Sequence, residues 1–431
     1  MKPKGISHPD FSHPILDQVK TKLLGWVSNV ELTTPHNNLN VQELQGKKLL
    51  LDLINKEKVF ITKADKGGAT LVFDFQKVVD IITAEVSDTQ KYTKLNQSVE
   101  KKMEETRKKI VSTVLAHEAA AKFGPLYRLG QWSSPHLTKI SRAYCGEEYI
   151  LDTPHLLGQI EEFNREQTSG NLLLATLDVE ALYPSINPQL ALTAMTEAFV
   201  GDNSTAEGIK AALTDFTKLG FDESFVTFRG SCYKPLIGIP TGGCDSRQIA
   251  DIFLHWLLFT KIKDNITQWS FVKLFRRFID DCFIIWKGTT RQFSLFVSNL
   301  NTLAENFGIR FGSWEIGKSV NFLDLTLYLD EQNKVQYKIY KKPTDARNYL
   351  RTDSFHPPHV FRSVAFSQML RVVSRNSQEN TRYEDMEQLK TDLKRSGHDL
   401  EQLEDLEPAV YRRFVAPEED SLGSNIPPQN L

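Results

Sequence analysis

Phe275-Arg276-Arg277-Phe278-Ile279-Asp280-Asp281-Cys282-Phe283-Ile284-Ile285-Trp286 is the stretch on which the reading of this fold turns. Two apolar runs of strand length flank a pair of aspartates, and that pattern predicts a hairpin with the acids at its tip. Aspartate favours turns and solvates well there, so a bare Asp-Asp hairpin would be ordinary. These flanks change the argument. Strands this apolar belong in a buried sheet. Their acids then emerge together at one edge, where adjacent carboxylates repel unless cations neutralise them.

About a hundred residues upstream the chain reads Leu172-Leu173-Leu174-Ala175-Thr176-Leu177-Asp178-Val179-Glu180-Ala181-Leu182-Tyr183. A predicted strand over 172–177 runs straight into Asp178, and Tyr183 follows five residues later. Three carboxylates at the ends of buried strands suit a pair of Mg²⁺ (or Mn²⁺) ions, which take hard oxygen ligands and leave positions for substrate phosphates. Such a pair activates a hydroxyl, here a primer 3′-hydroxyl, and steadies charge developing on a triphosphate. Asp178 and Asp280 are expected to ligate directly, with Asp281 assisting or orienting the primer end.

Between the acid sites lies Pro235-Leu236-Ile237-Gly238-Ile239-Pro240-Thr241-Gly242-Gly243-Cys244-Asp245-Ser246-Arg247, ahead of a helix predicted over 248–258. A Pro-Gly loop before a helix lets backbone approach a ligand, although by itself it is equally an ordinary turn. After the hairpin, Gly317-Lys318-Ser319-Val320-Asn321 leads into 322–327, where alternation predicts one strand. Upstream, 59–62 and 69–73 predict a β-hairpin with Lys63, Lys66, Gly67 and Gly68 at its tip, either an anion-holding loop or simply a turn. A long charged helix is expected over 97–122, irregular chain over 124–148, and helices over 156–163 and 360–376.

The 431 residues allow two or three packed units, and 40% hydrophobic with 25% charged residues is ordinary for a folded protein. The net charge of −2 excludes a polybasic coat, but the charge is uneven. Residues 334–375 carry nine Lys or Arg against two acids, and 383–407 carry nine acids against three bases. The first stretch could follow a phosphate backbone, and the second would be repelled by one. Cys145, Cys232, Cys244 and Cys282 lack metal-type spacing and read as reduced thiols. No apolar run reaches the ~18 residues of a membrane span, and the polar N-terminus lacks a signal-peptide core. A protein inside the cell, with no membrane partner, is expected.

The order of these elements resembles the palm of reverse transcriptases: an acid strand with Tyr five on, a Pro-x-Gly loop and helix, an aromatic-x-Asp-Asp hairpin, then Lys and Phe-Leu-Asp-Leu. The finer wording resembles the Penelope-like retroelement branch. Ala64-Asp65-Lys66-Gly67-Gly68 is similar to its upstream Asp-Lys-Gly motif, and 178–186 to its first palm motif. Tyr340-Lys341-Lys342-Pro343-Thr344-Asp345, then Tyr349-Leu350 and Ser354-Phe355-His356-Pro357, resemble the approach to its thumb. The likeness covers roughly residues 60–400.

The resemblance implies an α+β right-hand polymerase with an antiparallel-sheet palm, fingers and a helical thumb. An N-terminal helical extension would occupy 1–56, shortened fingers 57–170, the palm 171–340, a thumb of helix-turn-helix character 341–415, and a disordered tail 416–431. Asp178, Asp280 and Asp281 would be catalytic and hold the metals. Tyr183, Thr241, Gly242 and Lys318 would meet the nucleotide, Tyr183 selecting dNTPs; Lys318 reads equally as a surface charge. Phe322, Leu323, Lys341, Lys342, Arg362 and Arg371 would meet an RNA template and DNA primer, while Asp324 would face solvent or a structural partner. The implied activity is RNA-directed DNA synthesis, in the nucleus rather than the cytoplasm.

Two departures stand out. The family's Lys-His-Lys and Arg-Pro-Ile fingers segments have no counterpart before Asp178, where 124–135 offers only Arg128, with Lys139 and Arg142 beyond. Losing a triphosphate clamp favours the alternative reading, a catalytically degenerate retroelement-derived nucleic-acid binder. No GIY-YIG endonuclease motif is present, so no nuclease activity is expected.

Overall fold

A computed structural model describes residues 41–63, 70–117, 129–166, 170–342, 345 and 347–415. The chain forms two compact units, residues 1–64 with 70–81, and 65–69 with 82–431. In the first, α1 (Val41–Asn55) leads into an antiparallel hairpin of β1 (Val59–Lys63) and β2 (Thr70–Asp74), and then into α2 (Phe75–Ser87). The expected hairpin is present. Its lysine-glycine tip lies outside the described residues, as do 1–40, 118–128 and the tail 416–431.

In the second unit, a period of two dictates the architecture. Strands β4 (Leu173–Val179), β7 (Val272–Phe278), β8 (Asp281–Trp286) and β9 (Phe311–Gly317) form an antiparallel sheet in the order β7-β8-β4-β9. A small sheet of β3 (Tyr92–Leu95), β5 (Val226–Phe228) and β6 (Ser231–Pro235) has the order β3-β6-β5. Successive side chains of a strand point to opposite faces. Along β8, Cys282, Ile284 and Trp286 therefore enter one core, and Phe283 and Ile285 the other.

The first core is closed by helices. Among α3 (Val99–Ala116), α4 (Leu129–Cys145), α5 (Thr153–Glu166), the one-turn α6 (Leu182–Ser185), α7 (Pro188–Gly201), α8 (Glu207–Glu223), α9 (Ser246–His255) and α10 (Thr290–Ala304), the apolar faces of α4, α7, α8, α9 and α10 pack there. The opposite core takes Leu156, Leu157 and Ile160 of α5 and the sheet of β10 (Ser319–Phe322), β11 (Leu325–Leu329) and β12 (Val335–Ile339).

Three expectations change. The stretch expected to be irregular over 124–148 contains α4. Ser133, Ser134 and Pro135 hide this helix, since all are weak or hostile to it, but burial of Trp132, Leu137 and Ile140 overrides propensity. The helix predicted over 248–258 starts two residues earlier and passes into a π-helical turn at Trp256–Ile262. The single strand predicted over 322–327 is a hairpin. Phe322 pairs with Leu325 across a two-residue turn, and Leu323 takes φ 54°. A two-residue turn shifts the alternation by one residue, but the turn residue Leu323 is itself apolar and extends the Leu325-Leu327 pattern upstream, so periodicity alone misses the break.

The C-terminal helices α11 (Pro358–Ser374), α12 (Glu379–Arg395) and α13 (Leu400–Val415) share their own core around Met369, Leu393 and Val410. Asp324, in the β10–β11 turn, ties this bundle to the sheet. It accepts from Thr153 Oγ1 at 2.6 Å, from Arg371 at 2.9 and 3.2 Å, and stands 3.3 Å from Arg375. No described helix is long and apolar enough to cross a membrane.

Burial raises the Asp324 carboxyl, but the Thr153 hydrogen bond and the charges of Arg375 and Arg371 outweigh it and hold it below its ordinary value. A carboxyl depressed in the fold contributes stability above its unfolded pKa, about 3.9, and loses it as pH falls through the lower folded value. Asp324→Ala is expected to cost about 1.5–3 kcal/mol at pH 7. In urea unfolding, its deficit relative to wild type should narrow below about pH 4.

Candidate active site on the acidic hairpin

Phe278 pairs with Asp281, so Ile279 and Asp280 form the two-residue turn between β7 and β8. Ile279 adopts φ 59°, an outlier for a β-branched residue and a local store of strain. Asp281 is in register with Asp178 on β4, which sets the two carboxylates side by side at about 4.5–5.5 Å between Cα atoms. The Val179 amide donates to Asp280 O at 3.3 Å and closes the corner. All three aspartates are half-buried. By parity with Phe283 and Ile285, Asp178 and Asp281 share the face opposite the helical layer.

On the helical side, the strained turn is held by Arg277, whose side chain is wholly buried. Its guanidinium donates to Ile279 O at 2.8 Å, to Asp251 Oδ1 and Asp251 O at 3.0 Å each, and to Glu148 Oε1 at 3.1 Å. Glu148 also meets His255 Nδ1 at 2.9 Å. Burial opposes the arginine's charge, yet Glu148 and Asp251 more than compensate and keep it protonated. Arg277 O accepts from the Ile150 amide at 2.9 Å, so the segment after α4 is stitched to the same strand.

The loop before α9 docks on α6. Gly238 N donates to Ile186 O, and Ile239 N to Tyr183 O, both at 2.9 Å. Gly238 has φ 95°, and a Cβ there would lie 3.0 Å from Pro184 Cα and O, so glycine is required. Ser246 Oγ donates to Pro240 O at 2.6 Å and closes the loop, leaving Thr241 and Gly242 exposed. Gly130 of α4 lies beneath: a Cβ there would be 3.2 Å from Cys244 Cβ and 3.3 Å from Asp245 Oδ1. Tyr183 is half-buried, and its phenol is pushed up by burial and then by the nearby charges of Asp251 and Asp280. The turn, Tyr183 and the base of the loop thus form one neighbourhood.

Other expected site residues lie elsewhere. Lys318 donates to Asn171 Oδ1 at 2.6 Å and Leu172 O at 2.9 Å, at the start of β4. Six residues of strand, about 20 Å, separate that point from Asp178, so this lysine does not stand at the carboxylates. Phe322 is buried, its ring 5.6 Å from that of Phe283, and Leu323 is half-buried in its turn; Phe322 is core rather than a primer contact. Arg371 is committed to Asp324, and Lys341 pairs with Asp385 at 2.8 Å. Lys342 is half-exposed, and Arg362 is exposed beside His398 and Asp399 at a cavity in the bundle.

No family model and no curated protein matches the chain. Among solved structures, telomerase from Candida albicans in complex with the TWJ fragment of telomeric RNA superposes with a TM-score of 0.51 at 13% identity. The match covers 94% of this chain and 68% of that one. The fold is that of telomerase reverse transcriptase. Apo telomerase from Candida tropicalis is more distant, at TM-score 0.48 and 13% identity over 86% of this chain and 70% of that one. The expected mixture of helices with antiparallel sheets is met in this telomerase-like fold.

Two sets of potential metal ligands differ in chemistry. Asp178, Asp280 and Asp281 offer only carboxylate oxygens, a donor set that fits Mg²⁺. Among the described residues, Cys145, Glu148 and His255 bring their ligand atoms within 4.8 Å of one another. There the Arg277 guanidinium already supplies the positive charge, so the trio belongs to the ionic network.

That network was missed in the sequence, though its signal was present: Asp251 interrupts the apolar run Ile249-Ala250-Ile252-Phe253, and Arg277 an apolar strand. A charge at a core position implies a buried partner. Arg277→Met would leave Asp251 and Glu148 uncompensated. Denaturant unfolding is expected to report a loss of about 3–5 kcal/mol.

Proposed function

We propose that this chain is an RNA-directed DNA polymerase, a reverse transcriptase of a Penelope-like retroelement, with β4 and β7–β9 as palm and α11–α13 as thumb. The observation that carries the reading is the register of Asp178 with Asp281, with Asp280 in the adjoining strained turn. Asp178, Asp280 and Asp281 would hold two Mg²⁺ ions. When bound, these ions supply activation of the primer 3′-hydroxyl and charge neutralisation on the triphosphate.

The chain's own residues do the positioning. Arg277 fixes the turn that carries Asp280, so the carboxylates are held in place before substrate arrives. In this reading Tyr183 would rest its ring against the incoming sugar and select dNTPs over rNTPs. Thr241 and Gly242 present exposed backbone from a loop anchored on both sides, suited to a nucleotide and template. An RNA template and a DNA primer are the partners in this reading, and access to chromosomal DNA makes the nucleus its place of action. The telomerase-like fold supports a polymerase of this kind.

A second reading, a retroelement-derived nucleic-acid binder without polymerisation, is favoured by one observation. Lys318, Lys341 and Arg371, cations assigned to triphosphate and duplex, are engaged by internal partners.

Primer extension on an RNA template with Mg²⁺ and dNTPs tests the first reading. The purified chain should extend, and Asp280→Asn with Asp281→Asn should lower the rate by ~10³-fold or more. Duplex binding without any extension by the wild-type chain would leave the second reading.

A further inference from the structure

Arg247 is a cation beside the acidic turn that the ionic network engages only loosely, at 3.8 Å from Asp251. It is the second residue of α9, directly after the Thr241–Ser246 loop. Its guanidinium lies over the ring of Phe278, 4.9 Å from the centroid, and 5.8 Å from that of Tyr149. Phe278 is the cross-strand partner of Asp281 and shares its face. The charge of Arg247 also acts on the Tyr183 phenol, as that of Asp280 does. Arg247 therefore stands among the groups assigned to nucleotide and metal.

Its one ion pair, with Asp251, is long and leaves its hydrogen-bond donors unused. Arg247 Nε is 3.8 Å from Asp251 Oδ2, beyond hydrogen-bond reach, and both atoms are buried without a partner. Asp251 is already met by Arg277 at 3.0 Å through its other oxygen. Among the described residues Arg247 makes no side-chain hydrogen bond, and its side chain is 37% exposed. Stacking on two rings restricts the guanidinium while leaving its in-plane donors for a ligand. Arginine is suited to phosphate oxygens, which it can grip with two parallel donors.

Building on the polymerase reading, we propose that Arg247 binds a phosphate at the acidic turn and so substitutes for part of the missing fingers clamp. The phosphate belongs either to the incoming triphosphate or to the backbone of the primer–template duplex.

Arg247→Gln and Arg247→Lys, made in the full chain, separate the two sources by equilibrium measurements that need no turnover. The first is binding of an RNA–DNA primer–template duplex across a salt series. The second is dATP binding to the chain–duplex complex in Mg²⁺. If the phosphate is the backbone's, Arg247→Gln should weaken duplex binding about tenfold and reduce the slope of log K against log salt by about one. If it is the triphosphate's, duplex binding should hold while the dATP Kd rises about tenfold. Arg247→Lys should recover part of either loss.

The proposal is overturned if Arg247→Gln stays within about twofold on both measurements. It is equally overturned if Gln and Lys lose binding alike, in step with a lowered thermal midpoint and an unchanged salt slope. A wild-type chain that binds neither duplex nor dATP also overturns it. Duplex binding without extension would end the polymerase reading alone, and Arg247 would still be read from the salt slope.

Discussion

A positive charge with no access to water governs this structure. Both terminal nitrogens of Arg277 are engaged: by the carboxylate and carbonyl of Asp251 in α9, by Glu148 after α4, and by the carbonyl of Ile279. A buried guanidinium is stable only where carboxylates and carbonyls are held against it in this way. The requirement fixes the separation of β7, α9 and the end of α4 within narrow limits. Those are the elements that carry the acidic turn, the glycine-rich loop and the wall beside them.

The same device occurs twice. Of the three two-residue hairpins among the described residues, those at Ile279-Asp280 and Leu323-Asp324 start on a bulky apolar residue with positive φ where glycine or asparagine would relax the backbone. Each is restrained by arginine. Arg277 holds the first turn from within its own strand, and Arg371 and Arg375 hold the second from a helix of the C-terminal bundle. In both, the second turn residue is an aspartate. At the first, Asp280 stands beside Asp281, whose cross-strand partner is Asp178, and at the second, Asp324 is consumed by structure.

The difference between those aspartates explains what could be read from the sequence. The apolar runs around Asp178 and Asp280-Asp281 were legible, because strands buried on both faces need little context to recognise. The register of Asp178 with Asp281, on strands about a hundred residues apart, comes only from the sheet pairing. The β10–β11 hairpin was hidden, since Leu323 in its turn is apolar and extends the alternation of Leu325 and Leu327. Helix α4 was hidden by its serines and Pro135. The partners named above for Lys318, Lys341 and Arg371 lie 44 to 147 residues away in the chain, and no local pattern reports them. The family resemblance and the basic count assigned these cations to nucleotide and nucleic acid, although folding gives them carboxylates or carbonyls.

Gly130 gives the exposed loop a hard floor. A Cβ at 130 would come 3.2 Å from Cys244 Cβ and 3.3 Å from Asp245 Oδ1, so the first turn of α4 and the loop touch with no side chain between them. A larger residue at 130 would press Cys244-Asp245 outward and carry the exposed Thr241-Gly242 with them.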